Sequence, residues 1–238
     1  KCGIVREDGN IVAIKKCPTK KGVEAKEILF DMANLVKDLQ KETGLKLEGV
    51  GVGCPGLIDT EKGNVVYSNN LAWKNVPLIK TLKEELNLPV YVTNDANAAA
   101  LGEYYFGAGK KYKSLVMLTL GTGVGSGIVF NGKLFEGNLG AGVELGHEVI
   151  RIGGEKCTCG RKGCLEAYAS ATALIKQAQK AMDGDKESLL WKLSDGNKEN
   201  VNGKIVFDTL REGDKTAEKV VKKYTEYLAA GVTNVINA

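Results

Sequence analysis

Three cysteines lie within eight residues of one another, at Cys157, Cys159 and Cys164, and the only histidine of the chain, His147, precedes them by ten residues. Three thiolates and one imidazole are ligands that tetrahedral zinc prefers, whereas magnesium and calcium prefer oxygen ligands. A disulfide is the alternative, but it would leave one thiol of the three unpaired. The spacing therefore predicts a zinc site formed by these four residues.

Three cysteines and one histidine complete a four-coordinate site and leave no position for a reacting water, which is typical of structural zinc. Gly160 and Gly163 allow the tight backbone turns that would bring the three sulfur atoms to one ion. The predicted ion therefore shapes a site and does not perform the chemistry.

A run of small residues, Gly121-Thr122-Gly123, separates two apolar segments with strand character. Glycines let backbone N–H groups approach phosphate oxygens, and the Thr122 hydroxyl adds another donor. A plain hairpin turn explains the same residues, and they match neither a P-loop nor a dinucleotide-binding fingerprint. Phosphate binding at this turn is one of two open interpretations.

Three carboxylates are candidates for proton transfer or for binding hydroxyl groups. Asn94 and Asp95 lie where a strand leads into a helix, a position explained either by helix capping or by the edge of an α/β active site. Glu144 precedes His147 by three residues, and Glu166 follows Cys164 by two. Exposed surface glutamates are the alternative for both, but their proximity to metal ligands favours a shared site.

The composition limits the function classes. The 238 residues can form one large domain or two lobes, and 43% hydrophobic with 26% charged residues is ordinary for a globular protein. The net charge of +4 is small and the lysines are scattered, which gives little support for nucleic-acid binding. No apolar run approaches the ~18 residues of a membrane helix, and no signal peptide is visible, so a cytoplasmic location is expected.

The other three cysteines, Cys2, Cys17 and Cys54, are isolated in the sequence. In a reducing compartment such residues usually behave as small buried hydrophobic side chains, and we expect all three to be buried.

Strand and helix patterns alternate along the first part of the chain and resume in the second, which predicts an α/β fold with a substantially parallel sheet. Gly44 is expected to end the first helix. The predicted strands are Cys2–Val5, Ile11–Lys16, Leu47–Gly53, Val90–Thr93, Ser114–Leu120, Gly125–Phe130 and Lys133–Phe135, and the predicted helices are Gly22–Thr43, Pro77–Leu86 and Asp95–Phe106.

A Gly-Ile-Val strand followed by a turn and a second strand occurs twice, beginning at Gly3 and at Gly127. In the second occurrence Asn131-Gly132 predicts a hairpin turn before Lys133–Phe135. Chance similarity between two hairpins is one explanation, and an internal duplication is the other. If the chain is duplicated, the first copy lacks the strand and glycine turn that precede Gly127 in the second copy.

Together these motifs resemble the ROK family of sugar kinases and sugar-responsive repressors. Glu144-Leu-Gly-His147 is similar to its E-x-G-H element, and the segment from Cys157 to Glu166 matches its C-x-C-G-x-x-G-C-x-E signature. The Asn94-Asp95 segment is similar to the one that carries the family's catalytic aspartate. Leu120–Gly125 is similar to its second phosphate loop. The sequence Asn69-Asn70-Leu-Ala-Trp73 is most similar to the corresponding segment of the family's glucokinases.

The resemblance implies a duplicated ribonuclease-H-like fold of the actin-like ATPase type, with two lobes at residues 1–108 and 109–238. It also implies transfer of a phosphoryl group from Mg²⁺-bound ATP to the primary hydroxyl of a hexose, most directly glucose to glucose 6-phosphate. Asp95 would accept the hydroxyl proton, and Gly121, Thr122 and Gly123 would hold the ATP phosphates. The residues implied around the sugar are Gly56, Asn69, Asn94, Asp95, Glu144, His147 and Glu166.

Two family motifs are expected outside the chain, a D-x-G-G-T-type phosphate turn before Lys1 and a glycine-rich nucleotide segment after Ala238. The chain is therefore expected to be truncated at both ends, so that the first lobe lacks its first strand and the second its last elements, and to phosphorylate little by itself. Loss of zinc is expected to weaken sugar binding without affecting the glycine turn.

A sugar-responsive repressor of the same family is the chief alternative, and a zinc-ribbon interaction module is a weaker one. The retained Asp95 and glycine turn favour the kinase. The resemblance also implies a homo-oligomer, either a dimer or a tetramer, and it does not determine which hexose is bound.

Overall fold

A computed structural model of the protein describes residues 1–137 and 143–238. The chain divides into two compact units. The first contains Lys1–Met117 and Gly127–Val143, and the second contains Leu118–Ser126 and Glu144–Ala238. The boundaries of these units differ from the boundary after residue 108 that the sequence suggested for the two lobes. The lobe boundary stays a prediction.

The first unit begins with a hairpin of β1 (Cys2–Val5) and β2 (Ile11–Lys15), paired antiparallel. Helix α1 (Ala25–Thr43) follows. It ends as predicted at Gly44, which has a left-handed φ of 67° and donates its N–H to the carbonyl of Gln40. The predicted role of Gly44 as the C-terminal cap of α1 is therefore confirmed.

The element that positions the predicted aspartate is a parallel pair of strands, β3 (Val50–Cys54) and β7 (Val90–Asn94). Cys54 lies opposite Asn94 in the register, so both strands end at the same edge. Helix α2 (Leu78–Leu86) precedes β7, and helix α3 (Asp95–Phe106) begins immediately after it. Among the described strands this is the one parallel pair, because strands joined by short turns must pair antiparallel.

A second small sheet lies between β3 and α2 in the sequence and was not predicted. Its strands are β4 (Leu57–Asp59), β5 (Asn64–Ser68) and β6 (Trp73–Val76), all antiparallel. Val65 and Trp73 are buried in the same core cluster as residues of α1, β7 and α2. The strands are three to five residues long, too short for a hydrophobic period to mark them.

The chain passes from the first unit to the second within β8 (Leu115–Leu120) and returns within β9 (Val124–Phe130). Strand β9 pairs with β10 (Lys133–Phe135) through the predicted Asn131-Gly132 turn. The β9–β10 hairpin corresponds to β1–β2 in the proposed repeat. Strand β8 is the other neighbour of β9, and a groove of about 1230 Å³ in the first unit is lined by residues of β1, α1 and β3.

Helices dominate the rest of the second unit, which the sequence patterns did not resolve. They are α4 (Glu166–Ala169), α5 (Ala171–Gly184), α6 (Leu189–Leu193), α7 (Gly203–Arg211) and α8 (Lys215–Asn237). The core contains Leu165, Met182, Leu190 and Val206, all fully buried. Among the described residues no helix combines the length and the apolar character that crossing a membrane requires.

Candidate functional site

The four predicted metal ligands converge in the second unit. Their ligand atoms, one nitrogen of His147 and the Sγ atoms of Cys157, Cys159 and Cys164, all lie within 4.8 Å of one another. The Sγ atoms of Cys159 and Cys164 are 3.7 Å apart, and Cys157 Sγ lies 3.5 Å from His147 Nδ1. Regular tetrahedral zinc with ordinary bond lengths requires about 3.8 Å between two sulfurs and about 3.5 Å between sulfur and nitrogen. The geometry therefore fits a four-coordinate ion.

A disulfide does not explain the cluster, since an S–S bond is about 2.05 Å long and the Cys159–Cys164 separation is 3.7 Å. Hydrogen bonds from Arg161, first from its backbone and then from its side chain, lower the pKa of Cys159 to about 6. Burial raises the pKa of the fully buried Cys164 thiol. An exposed thiolate beside a buried thiol is a ligand pair that a cation would complete by displacing the remaining proton.

The segment Cys157–Cys164, called the cysteine loop below, has a backbone shaped by its glycines and by Arg161. Gly160 and Gly163 have φ values of +89° and +86°, and a Cβ at Gly163 would lie 1.8 Å from the carbonyl oxygen of Arg151. The predicted need for glycine at both positions is therefore confirmed. Arg161 Nη2 donates to the carbonyl of His147 at 2.9 Å, which ties the histidine to the cysteine loop.

Glu166, the first residue of α4, is half-buried and uses both of its carboxylate oxygens. Oε1 accepts a hydrogen bond from the Thr158 hydroxyl at 2.8 Å, and Oε2 accepts one from the backbone N–H of Val124 at 3.1 Å. A Cβ at Gly123 would lie 2.3 Å from Oε2. Glu166 therefore contacts the cysteine loop on one side and the predicted phosphate turn on the other.

Glu144 is exposed, and its carbonyl accepts the N–H of His147 at 2.9 Å in a short 3₁₀ turn. Leu145 N–H bonds to Ser126 Oγ at 3.0 Å, which holds this turn against the start of β9. The second unit thus brings together Glu144, His147, Glu166, the cysteines and Gly121–Gly123.

The predicted residues of the first unit gather at the end of the parallel strands. Asn94 Oδ1 accepts from the N–H groups of Ala96 and Asn97 at 2.8 and 3.3 Å, and Nδ2 donates to the carbonyl of Gly56 at 3.3 Å. Asp95 is exposed and accepts from the N–H of Ala96 at 3.0 Å. Asn94 is therefore a helix cap, as one interpretation proposed, and it leaves the Asp95 carboxylate accessible at a rigid helix start.

Gly56 and Asn69 lie near this edge. Gly56 has a φ of +116°, and a Cβ there would meet the Tyr67 carbonyl oxygen at 2.2 Å, so the turn between β3 and β4 lies too close to β5 for a side chain. Asn69 is exposed, follows β5 and accepts a hydrogen bond from the Tyr67 hydroxyl at 3.3 Å.

The isolated cysteines do not behave alike. Cys54 is buried as expected, and burial, followed by the nearby charge of Asp95, raises its pKa to about 11. Cys17, however, is exposed and Cys2 is only half-buried, so the prediction that all three are buried is wrong. Cys17 lies in the connecting segment between β2 and α1.

Two polar contacts near these residues were not found from the sequence. Thr158 donates a hydrogen bond to Glu166. Its position between two predicted cysteine ligands is the sequence feature that points to such a contact. Thr93 Oγ1 donates to Glu136 at 3.0 Å next to the end of β7, and these residues are 43 positions apart, too far for any local pattern to reveal.

Comparison with known proteins agrees with this assembly of motifs. A family model described as the ROK family matches residues 1–238. The chain is 40% identical to the glucokinase of Thermotoga maritima over 238 residues, which cover 99% of this chain and 74% of that protein. It is 35% identical to the xylose repressor of Caldicellulosiruptor bescii over 212 residues, covering 88% of this chain and 52% of the repressor.

The structure is similar to the crystal structure of a ROK family glucokinase from Streptomyces griseus in complex with glucose and AMPPNP, with a TM-score of 0.85 and 34% sequence identity. The match covers 99% of this chain and 75% of the other. It confirms the predicted α/β fold of the actin-like ATPase type. On its sequence and on its fold, the chain belongs to the ROK family.

Proposed function

We propose that the protein is an ATP-dependent hexokinase that phosphorylates the primary hydroxyl of glucose to give glucose 6-phosphate. The observation that carries the proposal is the exposed Asp95 carboxylate at the end of β7, in a chain 40% identical to a glucokinase. A carboxylate on a rigid helix start can accept a proton from a hydroxyl that is held within hydrogen-bond distance. No step of this transfer requires the zinc ion.

The proposed sugar ligands are Gly56, Asn69, Asn94, Asp95, Glu144, His147 and Glu166. Carboxylates and amides facing sugar hydroxyls discriminate sharply, because a sugar that lacks one hydroxyl leaves a protein group unpaired. Asn94 already donates to Gly56, and Glu166 is held through both of its oxygens, so their positions are set before any sugar arrives. Such preorganisation lowers the entropic cost of binding.

Gly121, Thr122 and Gly123 are the proposed contacts of the ATP phosphates. The turn is narrow, with the N–H of Gly121 bonded to the carbonyl of Gly123 at 3.0 Å, and a Cβ at Gly121 would meet open space. Mg²⁺ that accompanies ATP would neutralise phosphate charge during the transfer. The protein contributes positioning and backbone donors.

The proposed zinc ion has a structural role and is bound by His147, Cys157, Cys159 and Cys164. Two of the separations between ligand atoms match those of a tetrahedral zinc site and all lie within 4.8 Å, which supports zinc, and four protein ligands leave no open coordination position. The ion would hold Glu166 and the Glu144–His147 turn in place. Elemental analysis of the purified protein is expected to give about one zinc per chain.

A coupled ATP-turnover assay tests the proposal with five sugars, namely glucose, mannose, fructose, N-acetylglucosamine and N-acetylmannosamine. Glucose is expected to give the highest kcat/KM. Turnover with another of these sugars alone would correct the substrate, and no sugar-dependent turnover in the full-length protein would contradict the kinase.

The second candidate, a sugar-responsive repressor, is supported by the 35% identity to the C. bescii xylose repressor. It predicts sugar-dependent DNA binding by the full-length protein without ATP turnover, and a gel-shift assay with and without sugar distinguishes the two. The cytoplasmic location and the dimeric or tetrameric state stay predictions, and light scattering measures the second.

A further inference from the structure

We propose that Thr158 is a positioning residue that couples the cysteine loop, through Glu166, to the glycine turn of Gly121–Gly123. The contacts at Glu166 stand on the structure alone, whereas the ligands they affect, a hexose and ATP, rest on the proposed function. This link differs from the expectation that loss of zinc weakens sugar binding without affecting the glycine turn. Its consequence is that the binding of sugar and of nucleotide depend on each other.

The first step is the contact between Thr158 and Glu166. Thr158 is flanked by two metal ligands, Cys157 and Cys159, so the position of its hydroxyl follows the geometry of the metal cluster. This hydroxyl donates to Glu166 Oε1 at 2.8 Å. Cys157 Sγ lies 3.7 Å from the same oxygen, so two consecutive residues of the cysteine loop contact Glu166 Oε1.

The second step is the contact between Glu166 and the turn. Its other oxygen, Oε2, accepts the N–H of Val124, the residue that follows Gly123, at 3.1 Å. The absence of a side chain at Gly123 makes room for this oxygen, since a Cβ there would lie 2.3 Å away. With both oxygens bonded, the carboxylate cannot rotate without breaking a charge-assisted hydrogen bond.

The third step is a second attachment of the same turn. The N–H of Ala171, the first residue of α5, donates to the carbonyl of Gly121 at 2.9 Å. Ser170 is buried and caps α5 by accepting the N–H of Ala173 at 3.0 Å. The turn is therefore held at both ends by the segment that follows Cys164, so displacement of the cysteine loop is transmitted to it.

Coupling between two binding sites is reciprocal by thermodynamic necessity. A sugar that hydrogen-bonds to Glu166 stabilises its contact with the Val124 N–H and the turn, and nucleotide bound at the turn stabilises the same contact in return. We therefore expect glucose to raise the affinity for a nonhydrolysable ATP analogue, by about fivefold or more, the lower end of ordinary coupling.

The matched test compares Thr158→Val, which keeps the shape and removes the hydroxyl, with Thr158→Ser, which keeps the hydroxyl. In the Val variant the effect of glucose on analogue affinity, measured by calorimetry, is expected to fall at least about threefold, as for loss of one partly exposed hydrogen bond to a charged group. The Ser variant is expected to retain the coupling. Zinc content is expected to be unchanged in both variants.

Hydrogen exchange of the Val124 amide without ligands provides a readout that does not depend on kinase activity. Exchange is expected to be faster in Thr158→Val than in the wild type or in Thr158→Ser, because Glu166 Oε2 is then less firmly held. Equal exchange and equal coupling in Thr158→Val and wild type would overturn the proposal. If the wild type binds neither glucose nor nucleotide, the proposed function fails, while the exchange comparison still decides the link.

Discussion

The cysteine loop and the end of β7 differ in how strongly the structure constrains them. In the loop, four ligand atoms lie within 4.8 Å, two glycines adopt left-handed backbone conformations, and Arg161 is bonded to the carbonyl of His147. At the end of β7, Asp95 is exposed and hydrogen-bonded to the N–H of the next residue. A metal site can be identified from the distances between its ligand atoms. A general base can be identified only from its distance to the substrate group that it deprotonates.

The same contrast extends to what a substitution should affect. Residues of the cysteine loop act through geometry, so their loss should change metal content, stability and binding together. Asp95 acts through one proton transfer, so its loss should change turnover with little effect on folding. Four substitutions test this division, beginning with the largest expected effect.

Asp95→Asn is expected to lower kcat by about 100- to 10,000-fold, the usual contribution of a positioned acid or base. The amide keeps the size of the side chain and cannot accept the hydroxyl proton as a base. Steady-state kinetics with glucose and ATP measures the effect, and the melting temperature should stay close to that of the wild type. Asp38→Asn, which removes a surface ion pair with Lys15, is the matched control. Unchanged turnover in Asp95→Asn would remove it as the base.

Cys159→Ser is expected to release zinc, to lower the melting temperature by roughly 5–15 °C and to weaken glucose binding. Cys159 is exposed, so the substitution creates no buried cavity, and the effect reports on the metal. Metal analysis, calorimetric unfolding and glucose titration measure the three quantities. Cys17→Ser, at an exposed cysteine outside the cluster, should leave all three unchanged. Wild-type glucose affinity in a zinc-free Cys159→Ser protein would contradict the structural role.

Gly123→Ala is expected to destabilise the protein by about 1–3 kcal/mol, because the new Cβ would lie 2.3 Å from Glu166 Oε2 and must displace it. Gly121→Ala is the matched comparison for stability, since a Cβ there meets nothing within 4 Å. Urea denaturation of both variants measures the difference. If the two lose equal stability, the Glu166 carboxylate is not held against the turn as described.

Asn94→Ala is expected to cost about 1 kcal/mol of stability, the usual contribution of a helix N-cap. Asn94→Asp keeps the acceptor for Ala96 and Asn97 but removes the amide donor to the Gly56 carbonyl. This variant should therefore keep most of the stability and bind glucose more weakly than the wild type. Wild-type glucose affinity in Asn94→Asp would leave Asn94 with a capping role only.

Much of the local structure was predictable because its causes are local. Gly44 ends α1 through its left-handed conformation, Asn131-Gly132 forms the predicted hairpin turn, and α3 begins at Asp95 as its capping residue indicated. The spacing of the cysteines and the single histidine identified the metal ligands. In each case a residue type has few alternatives at its position, so the pattern has one main physical interpretation.

What the sequence determined by itself was therefore the chemistry available and the turns that place it. Only the tertiary structure decided that β4–β6 form a sheet, that Cys17 is exposed, and that Glu166 joins the cysteine loop to Val124, 42 positions away. These features depend on long-range pairing and burial, which several arrangements of the same local elements could satisfy. Packing selects one arrangement through the sum of many small contacts, and no short pattern records that sum.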